Sequence, residues 1–408
     1  MIKQLGLILL LWIMVLALQG QQGINEKTTI EGSNKLPGTY FIRRGGLNNS
    51  LQIFGKNKQA NVAFLGGSIT YNPGWRQMVC NYLKDRFPTT RFHFIAAGIP
   101  SLGSLPHAFR LQRDVLDSGK IDLLFVETAV NDRANGTDSI TQVRALEGIV
   151  RHARKSNSFM DIIVMSFADP GKINDYNHGI VPVEIANHEL VSAHYNLPSL
   201  NLAKEVRDRI TNGEFSWADD FKDLHPSPFG QQLYFDAIKK LLVACFDGVN
   251  KKTNVTARQL PLPLNKANFE NGRYLDIMKA GIDSNWMLDE DWTPKDSLPT
   301  RQGFVHVPVL LTTTPGAALR LPFKGTAIGI AIVSGADAGM IEYSIDGAPY
   351  KTVDLYTEWS SMLHLPWYIL LGSNLKSGSH SLHVRVSQEK NNASKGYACR
   401  LIYFLVND

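Results

Sequence analysis

The sequence predicts an α/β domain, with a parallel sheet layered between helices, followed by a smaller β-sandwich of the jelly-roll type. Three observations predict it. Between Asn61 and about Asp247, short continuous apolar runs alternate with stretches of helical periodicity, as expected of parallel strands covered on both faces. Near Leu260 the spaced prolines of RQLPLPLNKANFENG break this alternation and suit an extended connector. Beyond the connector, strand-like segments separated by Gly, Asp, Ser and Asn turns follow one another with few helical patterns.

Taken in order, the chain begins with MIKQLGLILLLWIMVLALQG, one lysine ahead of an apolar run from Leu5 to Leu18. This predicts a secretory signal over residues 1–23 and an exported mature protein, periplasmic, extracellular or lumenal. No cysteine lies near Gly20 to Gly23 to carry a lipid, and no later segment is long and apolar enough for stable membrane insertion. The first domain is placed over residues 24–260. Its strands are read at NVAFL, RFHFIAAG, IDLLFVE and DIIVMSF. Its helices are read over GWRQMVCNYLKDRF, near Leu105 to Leu116, near Ser139 to Arg154, and from Pro228 to about Cys245. The second domain, 261–408, is read from AIGIAIV, MIEYSID, HSLHVRVSQ and CRLIYFLVN.

Composition narrows the function. A chain of 408 residues, 44% hydrophobic, is long enough for two cores. The net charge of +5 is spread without a Lys/Arg block, so nucleic acid is not an expected partner. Cys80, Cys245 and Cys399 allow at most one disulfide, so the fold does not depend on a bridge framework. Sequons begin at Asn48, Asn135, Asn254 and Asn392.

Ligands of a doubly wound sheet bind at the carboxyl ends of its strands, and chemistry-bearing residues stand just there. Ser68 follows NVAFLGG, Gly98 ends RFHFIAAG, and Asn131 and Asp132 follow IDLLFVETAV; DLHPSPFG then places Asp223 and His225 ahead of the last helix. A serine hydroxyl is a poor nucleophile unless a histidine takes its proton and a carboxylate orients the imidazole. The oxyanion it creates needs fixed donors, here the backbone N–H groups of Ser68 and Gly98 and the side-chain amide of Asn131. Taken alone, Ser68 reads as a turn serine or helix cap, and His225 as the start of a helix.

The blocks GGSIT, AAGIPS, AVND and DLHPS, in this order, resemble the SGNH hydrolases, the GDSL-type esterases and lipases. The resemblance implies a flavodoxin-like three-layer α/β/α fold with a catalytic triad of Ser68, Asp223 and His225. It also implies an oxyanion hole of Ser68, Gly98 and Asn131, and no cofactor or metal. Gly67 stands where the family's name has Asp, and Ala96 and Ala129 replace the usual Asn and Gly. Asp223 lies two rather than three residues before His225; Lys222 takes the usual carboxylate position, which keeps Asp220 or Asp219 in reserve.

Other features read as structural. His188, Glu189 and His194 do not have the spacing of a zinc motif and are read as a solvated helix. Trp75, Arg76, Arg110 and Arg113 could reach a substrate near the first two loops, but Trp75 reads as helix packing and the three arginines as ion pairs; Glu127 reads either as a buried ion-pair partner or as a neighbour of the site. Trp286, Trp292, Tyr356, Trp359 and Trp367 read singly as sandwich core, while together they suit sugar stacking. With the family resemblance, the expectation is an exported carbohydrate O-acetylesterase acting on an acetylated glycan. The alternatives are a lipase or broad carboxylesterase, and a non-catalytic glycan-binding protein in which Ser68 and His225 stand too far apart to cooperate.

Overall fold

The computed structural model describes residues 39–247, 254–301 and 303–408. The signal predicted over residues 1–23 lies outside them. The described residues belong to one compact unit built from three sheets.

The first sheet comprises β1 (Phe41–Ile42), β2 (Gln59–Gly66), β3 (Arg91–Gly98), β4 (Leu123–Glu127), β5 (Asp161–Ser166) and β6 (Ser199–Asn201). Its order is β1-β6-β5-β4-β2-β3, parallel except for the short antiparallel β1. The chain leaves β2 toward β3 on one side and returns to β4 on the other, so the crevice for a ligand lies at the carboxyl ends of β2 and β4. Burial explains the sequence pattern. Every residue of β4 and β5 is buried, which gives LLFVE and DIIVMS their continuity, whereas β3 alternates because it is an edge strand. Phe64 of β2 stacks on Phe125 of β4 at 4.9 Å between ring centres, and Trp75 closes on Phe64 at 5.7 Å. Trp75 therefore is the packing residue its helical position predicts.

Residues 272–407 supply β7 (Gly272–Leu275), β8 (Gly281–Ile282), β9 (Met287–Asp289), β10 (Val309–Thr312), β11 (Ala318–Gly325), β12 (Ala327–Val333), β13 (Met340–Ile345), β14 (Lys351–Asp354), β15 (Pro366–Gly372), β16 (Gly378–Val386) and β17 (Cys399–Asn407). One sheet runs β15-β12-β17-β10-β9 with β7 also on β17; the other runs β14-β13-β16-β11-β8. All pairings between these strands are antiparallel.

The run AIGIAIV is continuous because its strand is covered on both faces. Ile328, Ile330 and Ile332 of β12 pack with Leu319, Leu321 and Val384 of the facing sheet. Ala327, Ala331 and Val333, on the other face, join a core that contains Leu105, Ala108 and Phe109 of the helix Ser104–Asp114. The sandwich is thus roofed by the α/β layer. The extended 254–271 stretch is tied to the helix Ser139–Ser156: buried Glu147 accepts from the backbone N–H groups of Leu264 (2.6 Å) and Asn265 (2.8 Å), and Arg151 and Arg154 donate to the carbonyls of Pro261 and Gln259. All three cysteines are buried free thiols.

Candidate active site

The Ser68 loop is closely packed from the side of Asn131. After the buried VAFL of β2, Gly66 and Gly67 lead into a short helix, Ser68–Tyr71, closed by Tyr71 N–H to Gly67 O at 3.0 Å and Asn72 N–H to Ser68 O at 2.8 Å. A Cβ on Gly67 would stand 2.0 Å from Asn131 Oδ1, so the aspartate of the family's name would need the Asn131 side chain to move aside. The turn is fixed from behind by Trp75 Nε1 donating to Ile69 O at 3.1 Å and Arg76 Nε to Thr70 O at 3.0 Å.

His225 arrives from the opposite side. A single π-helical turn, Trp217–Phe221, is capped by Ser216 Oγ, and Lys222 at φ 83° swings the chain away from it. Ser227 N–H returns to Phe221 O at 2.9 Å, and the helix Pro228–Asp247 begins. Its Gln231 accepts from Trp75 N–H at 3.0 Å, tying the two loops together. The result places His225 Nε2 2.7 Å from Ser68 Oγ.

The carboxylate is the loose member. Asp223 Oδ1 lies 3.8 Å from His225 Nδ1, beyond hydrogen-bond distance, with its side chain 68% exposed, and it accepts instead from the His225 backbone N–H. The reserve candidates do not replace it. Asp220 accepts from Ser216 N–H at 2.8 Å and Asp219 from Ser216 Oγ at 3.0 Å, so both hold the π-turn. An aspartate that fixes the imidazole through a short buried hydrogen bond is worth about 10⁴ in kcat. Asp223→Asn is expected to cost roughly tenfold or less in kcat/KM on phenyl acetate. A loss near 10⁴ would show that Asp223 closes on Nδ1 when substrate binds.

Asn131 sits in the first turn of the helix Ala129–Ala134, after β4. Its side-chain amide makes no hydrogen bond to another described residue and lines the same cavity as Ser68 and His225. Asp132 holds that turn in place by accepting from Ser104 N–H and Oγ, both at 2.8 Å. Gly98 does not line the cavity. It packs against the Ser68 turn, where a Cβ would stand 2.5 Å from Tyr71 N.

The cavity, about 460 Å³, is completed from the far end of the chain: Arg301, Trp359, Leu363 and Leu365 face Tyr71, Asn131, Leu224 and His225. Trp359 is 40% exposed. Trp286 and Trp292 are core residues, as the core reading of each expects, whereas Trp367 lines a smaller adjoining cavity that shares Ser101 and Asn135 with that of Ser68 and His225. That sharing also bears on the Asn135 sequon. Its Nδ2 donates to Ser101 O at 3.0 Å, so a glycan on that nitrogen would displace the contact.

Behind the site lies a buried polar layer that sequence reading only partly found. Glu127 accepts from Val130 N–H at 3.1 Å, and burial lifts its carboxyl to about 7. Asp132 is raised to about 6 by the same cause. His188 is a correction. It is buried rather than on a solvated face, its ring shared between Thr128 Oγ1 (2.8 Å) and Ser166 Oγ (3.1 Å), and burial lowers it to about 3. Glu189 and His194 are occupied elsewhere, by Arg44 and the carbonyl of Leu262. Arg110 and Arg113 both pair with Asp114, as the ion-pair reading expects, whereas Arg76 departs from it: its guanidinium donates to the carbonyls of Thr70 and Tyr71 and meets no carboxylate among the described residues.

Glu127 carries a stability prediction. Between pH 4.5 and about 7 the unfolded chain's Glu127 is ionised while the folded one keeps its proton, so this group's contribution to stability falls as pH rises through that window. Glu127→Gln is expected to lose less Tm between pH 5 and pH 8 than the wild type. Parallel melting curves at the two pH values check it, and equal losses would remove Glu127 from the account.

With serine, histidine and a free amide meeting at a switch-point cavity, the family comparison is decisive: the GDSL-like Lipase/Acylhydrolase family matches residues 64–233. Residues 64–233 form a GDSL-like, or SGNH, hydrolase domain. The match spans every SGNH block from GGSIT to DLHPS. Among curated proteins, none matches the chain. A two-domain esterase (CEX) active on acetylated mannans is similar in structure, both alone and co-crystallized with mannopentaose. Identity is 20% and the TM-score 0.69 in each case, covering 90% of this chain and 97% or 96% of the other. The likeness extends the SGNH fold to a shared two-domain architecture. Axe2, an acetylxylan esterase from Geobacillus stearothermophilus, matches over 45% of this chain and 94% of its own, at 14% identity and a TM-score of 0.36.

Proposed function

We propose that this chain is an exported serine esterase that removes acetyl groups from a glycan, a carbohydrate O-acetylesterase. The observation that carries it is the 2.7 Å contact of Ser68 Oγ with His225 Nε2 in a cavity walled by Trp359 and Arg301. In the proposed course, His225 Nε2 takes the Ser68 proton as Oγ attacks the acetyl carbonyl. The tetrahedral oxyanion receives hydrogen bonds from the Ser68 N–H and the Asn131 amide, while Gly98, which does not line the cavity, packs behind the Ser68 turn. His225 then protonates the departing sugar oxygen. Water, deprotonated in turn by His225, releases acetate from the acyl-enzyme. No cofactor enters this scheme.

Trp359 supports a sugar as the leaving group, since an exposed indole beside a nucleophile offers a flat apolar face to the C–H face of a pyranose. The likeness to an esterase active on acetylated mannans supports it as well. The apolar wall of Val130, Leu224, Leu363 and Leu365 favours a second reading, a broad carboxylesterase for longer acyl chains. Initial rates on phenyl acetate, butyrate and octanoate, beside acetate release from a panel of acetylated polysaccharides, separate the two. Release from a polysaccharide with a preference for acetate supports the proposal; octanoate preferred and no polysaccharide cleaved would replace it with the second reading.

A further inference from the structure

Among the described residues, Arg301 is the one permanent charge lining the catalytic cavity. Among them it forms no ion pair, and its single hydrogen bond runs from Nη2 to Ser101 Oγ at 3.3 Å. Its Nε is buried without a partner there. A guanidinium carries five donors in a planar fork matched to a carboxylate, so this one is underused as it stands. Its anchor is built at some cost. Ser101 adopts φ 72°, a left-handed conformation unusual for serine, and Asn135 Nδ2 holds its carbonyl there at 3.0 Å. A second arginine, Arg76, is not among the residues lining the cavity, but it donates to the carbonyls of Thr70 and of the lining residue Tyr71 and has no acidic partner among the described residues. The carboxylate nearest His225, that of Asp223, does not line the cavity.

We propose that Arg301 selects an acidic sugar: the acetylated substrate carries a carboxylate, a uronosyl residue, seated on the Arg301 guanidinium while its acetyl ester meets Ser68. This rests on the esterase reading above. It deepens that reading from glycans in general to anionic glycans. A neutral sugar would leave the guanidinium without a counter-ion, whereas a carboxylate supplies acceptors for the cavity-facing part of the fork.

The test compares methyl glucuronoside with methyl glucoside, each acetylated at the 2- or 3-hydroxyl, with phenyl acetate as the control ester. The wild type is expected to favour the uronoside by about 10- to 100-fold in kcat/KM, the worth of a charge-assisted pair, and to lose much of that preference in high salt. Arg301→Gln, which keeps a donor but not the charge, is expected to bring the ratio close to one, and Arg301→Lys to retain part of it. Equal or better cleavage of the neutral glucoside by the wild type overturns the inference and leaves the esterase intact, as does an Arg301→Gln ratio equal to the wild type's. Cleavage of phenyl acetate with neither sugar touched overturns this inference together with the carbohydrate reading, and a folded protein inert on all three substrates overturns the esterase itself.

Discussion

Replacing Ser68 by alanine is expected to lower acetate release by about 10⁴- to 10⁶-fold while leaving the melting temperature close to wild type. The size follows from the chemistry: without Oγ there is no acyl-enzyme, and the remaining site offers only binding and oxyanion donors, which together give about 10³–10⁴ over water in serine hydrolases. The stability follows from the position. Ser68 is partly exposed, its turn is closed by backbone hydrogen bonds, and the side chain's sole described partner is His225. His225→Ala is expected to cost nearly as much, and the double variant no more than either alone, because the two act as one unit. Burst kinetics on p-nitrophenyl acetate, with circular dichroism to confirm folding, check both. A Ser68→Ala protein within tenfold of wild type would mean that another group attacks the ester.

Much of this site was legible because doubly wound sheets put chemistry at strand ends, so short apolar runs also mark where to look. Ser68, Asn131 and His225 follow from that rule and converge on one cavity. The same rule finds Gly98 at the end of its strand, although what the structure shows there is close packing against the Ser68 turn. The geometry of Asp223 was not legible. Its distance from His225 Nδ1 is set by a π-turn and a left-handed Lys222, neither of which has a periodicity to detect. His188 was misread because its helix is apolar on a face turned toward β5 and the Thr128 loop; a histidine in that pattern titrates little and serves as a buried hydrogen-bond hub. The far wall of the cavity was beyond reach from local pattern, since Arg301, Trp359 and Leu363 come within range of Ser68 only through tertiary packing. The clue that existed was the unbroken AIGIAIV, an antiparallel strand without polar alternation, which demands cover on both faces.

That double cover sets the last expectation: a chain ending at Leu260 will not give a soluble, active hydrolase. Phe109 loses Phe269, whose ring lies 5.3 Å away, and Leu105 and Ala108 lose the β12 and β17 residues of their shared core. Exposing a large buried apolar side chain costs about 1.5–3 kcal/mol, and a domain has only about 5–15 kcal/mol in total, so a few such residues consume most of it. Buried Glu147 also loses the two backbone donors of Leu264 and Asn265 and keeps only Tyr195. The helix exposed in this way is the one whose first residue, Ser104, anchors Asp132 beside Asn131, so damage there reaches the turn proposed to hold the oxyanion donor. Expression of the truncated chain, followed by solubility, dye binding to exposed apolar surface and phenyl acetate hydrolysis, measures this. A soluble fragment with wild-type activity would show that the α/β layer needs no roof. The contribution of the far wall to substrate choice is better read from Trp359→Ala in the full chain, where a 40% exposed side chain is removed without opening the core.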